Sequence, residues 1–229
     1  MNNNISMSEQ RIRIGLIHAL QASIVPIETA FSRFWPEAEA VNLLDGSLYL
    51  DYDAAGEVTP EITRRIRALI DHAVGFGARG LLLTGSLFSQ PLQDARKELS
   101  IPALAAYEAM IEQAFASGSR FGLIATYAGT ITMIEADIER YAREKGFACT
   151  VESKMAEGAL DAVRSGDRER HDSLVAAAAE GFAECDVLLL AQHSMSPVKE
   201  RIPERAGRRV LTSSETAVRK LRELVEARE

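Results

Sequence analysis

Cysteine is scarce in this sequence: Cys149 and Cys185 are the only two among 229 residues. With only two thiols no disulfide framework is suggested, and the cytoplasm is the default compartment. Long apolar runs are also missing. The longest are Gly80-Leu81-Leu82-Leu83 and Val187-Leu188-Leu189-Leu190-Ala191. A bilayer span needs ~20 apolar residues, so no membrane partner is expected. Met1 to Gln10 is polar, has no apolar signal core, and reads as a short disordered lead. Positive charge is not in excess either. Lys and Arg number 26 against 33 Asp and Glu, a formal net charge of −7, which argues against a broad nucleic-acid surface. There is no P-loop, no H-E-x-x-H and no cysteine–histidine metal spacing, so neither metal nor cofactor is expected. Gly75-Phe76-Gly77-Ala78-Arg79-Gly80 matches G-x-G-x-x-G as a string. It closes a helix and precedes a strand, the reverse of a dinucleotide fingerprint, so its glycines read as helix terminators.

What remains is an ordinary globular composition, 47% hydrophobic and 26% charged, sized for one large α/β domain or two small lobes. An internal repeat favours two lobes. Arg13-Ile14-Gly15-Leu16-Ile17 resembles Arg120-Phe121-Gly122-Leu123-Ile124, 107 positions later. The same offset relates Leu81–Leu83 to Leu188–Leu190, Leu104 to Leu211, and Glu108 to Glu215. A shared offset across four separated segments points to two homologous halves related by a pseudo-twofold axis.

Periodicity fills in the elements. Ile12 to Ile17 reads as a buried strand and Ile24 to Trp35 as a helix. Thr59 is a natural N-cap, with Pro60 at the first helical position. Ile62, Ile66, Leu69, Ile70 and Ala73 then mark one helical face, which Gly75 and Gly77 end. Leu81 to Leu83 is the next strand, Pro91 to Leu99 the next helix, and Ile101 to Leu104 the last strand of the first sheet. A helix from Tyr107 carries the chain across. The second half repeats the order: strand 121–125, helix 130–145, strand 147–151, helices near 156–164 and 168–183, strands 187–191 and 209–211, and helix 215–227. Alternating strands and helices imply two Rossmann-like lobes with parallel sheets. The final helix is expected to return, giving a first lobe of 1–105 plus 212–229 and a second of 106–211.

In such sheets ligands bind beyond the carboxyl ends of the strands. Four ends are informative: His18-Ala19-Leu20-Gln21, Thr84-Gly85-Ser86, Thr126-Tyr127-Ala128-Gly129-Thr130 and Gln192-His193-Ser194. The repeat pairs the first with the third and the second with the fourth, so the second and fourth should face each other across one cleft. Thr84, Ser86, Thr126 and Thr130 each suit a helix cap. Four such ends converging on a cleft suit a carboxylate, bound by hydroxyls and by the unpaired N–H groups of helix starts. Among the histidines, His193 and then His18 sit at strand ends and are the candidates for catalysis or substrate contact. His72, inside an amphipathic helix, and His171, in the charged run Asp167 to Asp172, read as structural or solvated. Tyr141 to Lys145 and Arg164 to His171 read as solvated charged faces.

Leu83-Thr84-Gly85-Ser86 and Leu190-Ala191-Gln192-His193-Ser194-Met195 resemble the two signature loops of the aspartate/glutamate (hydantoin) racemase superfamily. Gly15-Leu16-Ile17, Asn42-Leu43-Leu44-Asp45 and Val210-Leu211-Thr212-Ser213 fit the same scheme, and the resemblance runs from about 11 to 227. It implies duplicated lobes with the active site between them. It also implies cofactor-independent chemistry, as in racemases, maleate isomerases and arylmalonate decarboxylases, through a carbanion or enolate beside a carboxylate. Members are often dimers, so a homodimer is an expectation the resemblance carries. The racemases place one cysteine in each loop, at the positions of Gly85 and Gln192 here, and this chain has neither. The decarboxylase branch has glycine at the first position and keeps the second cysteine. Cys149, ending an expected strand, and Cys185, preceding one, read as core residues. The resemblance assigns Thr84 and Ser86 to carboxylate binding, with Tyr127 where the decarboxylases use a tyrosine. The substrate-contact set is then His18, Thr84, Gly85, Ser86, Thr126, Tyr127, Gln192 and Ser194, with His193, Ser86 and Tyr127 as the catalytic candidates. Two functions follow from these residues: an isomerase or lyase acting on a small carboxylate, or a non-catalytic binder of a small dicarboxylate.

Overall fold

The computed structural model describes residues 11–182, 184–203 and 208–228. The polar lead expected over Met1 to Gln10 lies outside the described residues. The first sheet takes β1 (Ile12–His18), β2 (Ala38–Leu44), β3 (Gly80–Leu83) and β4 (Ala103–Ala105) in the order β2-β1-β3-β4. The second takes β5 (Arg120–Ala125), β6 (Thr150–Met155), β7 (Val187–Leu190) and β8 (Arg209–Thr212) in the order β6-β5-β7-β8. All six strand pairings are parallel. The helices between them are α1 (Ile24–Phe34), α2 (Leu48–Ala55), α3 (Pro60–Gly75) and α4 (Ser89–Arg96) in the first half of the chain. Then come α5 (Ala106–Phe115), α6 (Ala128–Lys145), α7 (Ala159–Arg164), α8 (Arg168–Ala179) and α9 (Ser213–Glu226). Among the described residues, no helix is long and apolar enough to cross a membrane.

The repeat is visible in the register. Ile14 faces Gly80 and Phe121 faces Val187; Leu81 faces Ala103 and Leu188 faces Val210. Each pair maps onto its counterpart at an offset of 107. At the outer strands the offset becomes 111, because Gly15 faces Val41 while Gly122 faces Glu152. The longer α6, 18 residues against 11 in α1, accounts for a slip of that kind. Gly15 and Gly122 are equivalent for a packing reason. A Cβ on Gly15 would lie 2.8 Å from both Ala73 and Leu81, and one on Gly122 would lie 2.6 Å from Phe182. In both sheets the covering element rests on bare backbone.

Local chemistry explains the elements that the sequence shows. Thr59 Oγ1 accepts the Ile62 N–H at 3.2 Å, and Pro60 opens α3. Ile62, Ile66, Ile70 and Ala73 are buried, while Leu69 packs only partly against the core. Gly77 follows at φ +84, a left-handed turn that favours glycine. The strand expected at 147–151 is β6 instead, three residues later. Phe147 is spent on an aromatic stack with Phe115, at 5.5 Å, rather than on the sheet. Cys149 therefore precedes a strand and, like Cys185, is half-buried rather than deep in the core.

The chain crosses between the sheets twice. After β4, α5 buries Met110, Ile111 and Ala114 in a cluster that holds Phe121, Leu123 and Leu189 of the second sheet. After β8, α9 buries Ala217, Val218, Leu221 and Val225 against Ile14, Leu16 and Leu82 of the first.

Candidate functional site

The parallel register sends the ends of β1, β3, β5 and β7 to one side of their sheets, and the two sheets present those sides to each other. Thr84, Gly85 and Ser86 follow β3; Thr126 and Tyr127 follow β5; Gln192, His193 and Ser194 follow β7. All eight line one cavity, with Leu20, Ser23, Tyr49, Leu160, Arg164 and Ala191. The loops expected to face each other do so. The cavity holds about 30 Å³ of free space, the order of one water molecule. A ligand of amino-acid size needs more room than this.

His193 is 2% exposed. Its Nδ1 lies 2.7 Å from Ser214 Oγ, which in turn lies 2.8 Å from Ser196 Oγ. Its Nε2 has no protein partner. Burial first, and then repulsion from His18 whenever that ring carries charge, push the imidazole pKa down to about 3. It is neutral near pH 7, and the serine chain can hold its proton on either nitrogen. The unfolded chain takes up this proton near pH 6.5, while the folded chain refuses it until about pH 3. The stability conferred by His193 is therefore complete above pH 6.5 and falls as the pH drops below it, by up to ~1.4 kcal/mol per pH unit. Urea titrations at pH 7 and pH 5 measure this. The His193→Gln variant is expected to lose less stability over that interval than the parent, and an unchanged loss would refute the assignment.

His18 stands behind the cavity wall, fully buried, and does not line it. Asn42 Nδ2 donates to Glu28 Oε1 at 2.7 Å, so Asn42 Oδ1 accepts from His18 Nε2 at 2.9 Å. His18 Nδ1 is then an acceptor for the Thr84 hydroxyl at 2.9 Å. Burial lowers the His18 pKa, which keeps it neutral and keeps the Thr84 proton engaged. His18 is thus one hydrogen bond removed from the cavity, through Thr84. Thr130 likewise stays out of the lining; it is 1% exposed at the start of α6. The remaining histidines diverge. His72 is exposed on α3, whereas His171 is fully buried with Nδ1 2.7 Å from Asp172 Oδ1. The charged run around His171 is therefore not wholly solvated.

Two further lining residues had no clear signal in the sequence. Tyr49, from α2, is raised to about pKa 12, first by desolvation. Arg164 ends α7 and lines the cavity instead of belonging to a solvated face. Asp53 of α2 meets both it and Tyr127: the Tyr127 hydroxyl donates to Asp53 Oδ1 at 3.2 Å, and the Arg164 guanidinium is 3.8 Å from Asp53 Oδ2.

At Gly85 and Gln192, the positions where the resemblance expects cysteines, other contacts are in place. A Cβ on Gly85 would lie 2.9 Å from the Phe88 ring and 3.1 Å from Ala19. Gln192 Oε1 accepts the Thr126 N–H at 3.0 Å, tying the β7 loop to the β5 loop. Cys149 and Cys185 are outside the lining, and burial raises both thiol pKa values. Since the thiolate is the reactive form, iodoacetamide is expected to leave activity intact. Residual turnover after alkylation is the measurement, and rapid inactivation that bound substrate prevents would place a thiol in the site. Among the described residues, no group of His, Cys, Asp and Glu could hold a metal ion.

Comparison with known proteins bears on the family and the fold. A family model described as Asp/Glu/Hydantoin racemase matches residues 36–221. No curated protein matches the chain. Among solved structures, a glutamate racemase from Bacillus anthracis superposes with a TM-score of 0.71 at 16% identity, covering 94% of this chain and 82% of that one. An aspartate racemase from Picrophilus torridus gives a TM-score of 0.70 at 16% identity, covering 93% and 94%. An allantoin racemase from Pseudomonas fluorescens gives 0.66 at 18%, covering 94% and 91%. At these identities the likeness establishes the two-lobed α/β fold.

Proposed function

The chain belongs to the Asp/Glu/hydantoin racemase family, and from that premise we propose that it is a cofactor-independent racemase-type enzyme forming an enolate-like centre beside the carboxylate of a small substrate, without a cysteine pair. The observation that carries this reading is the cavity itself, where hydroxyls and one unpaired imidazole nitrogen converge from both sheets. Ser86, Tyr127 and the neighbouring backbone amides bind the carboxylate and stabilise charge as it develops. Thr84 lines the same wall with its proton engaged by the neutral His18. His193 is the acid–base group. Its Nε2 either accepts a proton or donates one, depending on how the Ser214–Ser196 chain is oriented. An anionic ligand beside His193 favours the imidazolium and offsets the desolvation that otherwise keeps it neutral.

Racemisation, isomerisation, decarboxylation and elimination all pass through such a centre. A panel of malonates, amino acids, hydantoins and maleate in deuterated water separates them, reading deuterium incorporation and carbon dioxide release together. Ser86→Ala and Tyr127→Phe are each expected to weaken carboxylate binding or turnover, a lost hydrogen bond to a charged group being worth ~1.5–3 kcal/mol. Unchanged affinity and rate in both variants would remove these residues from the site.

A second reading, a non-catalytic binder of a small dicarboxylate, is favoured by one observation. Phe88 and the Gln192–Thr126 contact fill the places where thiols would act. A carboxylate that raises the melting temperature while no acid on the panel is turned over would select it.

A further inference from the structure

Asp53 and Arg164 stand 111 positions apart in the sequence, the offset that relates the outer strands and, with them, α2 to α7. They occupy equivalent places in the two halves, carry opposite charge, and meet across the cleft at 3.8 Å. The two Asp53 oxygens are divided: Oδ1 takes the Tyr127 hydroxyl and Oδ2 faces the Arg164 guanidinium. Tyr127 and Arg164 both line the cavity and both belong to the second half of the chain, while Asp53 belongs to the first. The carboxylate of Asp53, itself outside the lining, thus engages two lining donors that an external carboxylate would use.

We propose that Asp53 is an internal carboxylate latch: it engages Tyr127 and Arg164 across the two halves while the cleft is empty, and is displaced by a carboxylate of the incoming ligand. This rests on the reading of the cavity as a carboxylate site. The bridge is suited to exchange. Both charged side chains are about two-fifths exposed, 38% for Arg164 and 40% for Asp53, so the pair is screened and weak. A ligand with two carboxylates gains most, because one end takes the Ser86 region while the other replaces Asp53.

The latch makes opposite predictions for its two charges, which an ion pair that merely supports the fold does not. Calorimetric titration of the full chain with succinate, and with butyrate as the singly charged control, tests it. Asp53→Asn is expected to bind succinate about 2–10-fold more tightly than the parent, since a competitor for Arg164 has lost its charge. Arg164→Gln is expected to bind it about 10–100-fold more weakly and to lose the preference for succinate over butyrate. Melting curves identify any variant that fails to fold. For that case Asp53→Ala and Arg164→Met remove the same two charges with other side chains, and the same opposite effects are expected. Weaker succinate binding by Asp53→Asn, or unchanged affinity in both variants, would overturn the latch and leave the carboxylate site standing. Binding of succinate by Asp53→Asn alone would support the latch. Failure of parent and variant alike to bind any acid of the panel would overturn both proposals.

Discussion

His193→Ala is expected to reduce turnover on the order of 10²–10⁴-fold, the usual contribution of a general acid–base group. His72→Ala should leave the rate unchanged. The contrast follows from position. His193 lines the cavity with an unpaired Nε2, whereas His72 lies exposed on α3 with its ring against Phe76 at 5.8 Å. His171→Ala is an informative third case. His171 is buried on Asp172, whose other oxygen is 3.5 Å from Arg201, so its loss should lower stability before it touches the rate. Initial rates beside melting temperatures separate the two effects. Full activity in His193→Ala would end its role and turn attention to His18, which can move a proton to the cavity only through Thr84.

Leu221→Ala is expected to destabilise the protein by ~2–5 kcal/mol, the range for removing a fully buried leucine side chain. Leu221 is 0% exposed and belongs to the cluster that holds Ile14, Leu16 and Leu82. One of its methyl groups lies 3.2 Å from where a Cβ of Gly80 would stand, so α9 sits directly on β3. We propose on this basis that the chain divides into 1–105 plus 212–229 and 106–211, with α9 as an integral part of the first lobe. Urea denaturation followed by circular dichroism checks the magnitude. A loss below about 0.5 kcal/mol, the level of an ordinary surface substitution, would make α9 peripheral and the division wrong.

The inner strands were legible because each is buried on both faces. Ile14–Ile17, Leu81–Leu83 and Leu188–Leu190 read as continuous apolar runs. Of the edge strands, β4 and β8 were placed close to their positions, β6 was placed three residues early and β2 was missed. Ala38–Leu44 is only partly buried along its length, and Thr150–Met155 alternates between exposed and half-buried positions. Neither shows the run that marks an inner strand. With β2 missed, α2 was missed too, and with it Tyr49 and Asp53. Arg164 was misread for a related reason. A charged side chain at the end of a short helix looks solvated until the opposing half supplies Asp53 and Tyr127.

The sequence by itself determined the α/β architecture, the duplication, and the pairing of the Thr84–Ser86 and Gln192–Ser194 loops. These follow from local periodicity and from one repeated offset, and neither depends on contacts between distant residues. Only the tertiary structure decided how the strand ends are wired. It set His18 behind Thr84 and left His193 with a free Nε2. It packed Phe88 where a side chain at Gly85 would go, and it brought Asp53 to Arg164. Such contacts depend on how the strand ends of the two sheets meet. A slip from 107 to 111 in the offset, small in the sequence, places equivalent positions of opposite charge within 3.8 Å of each other.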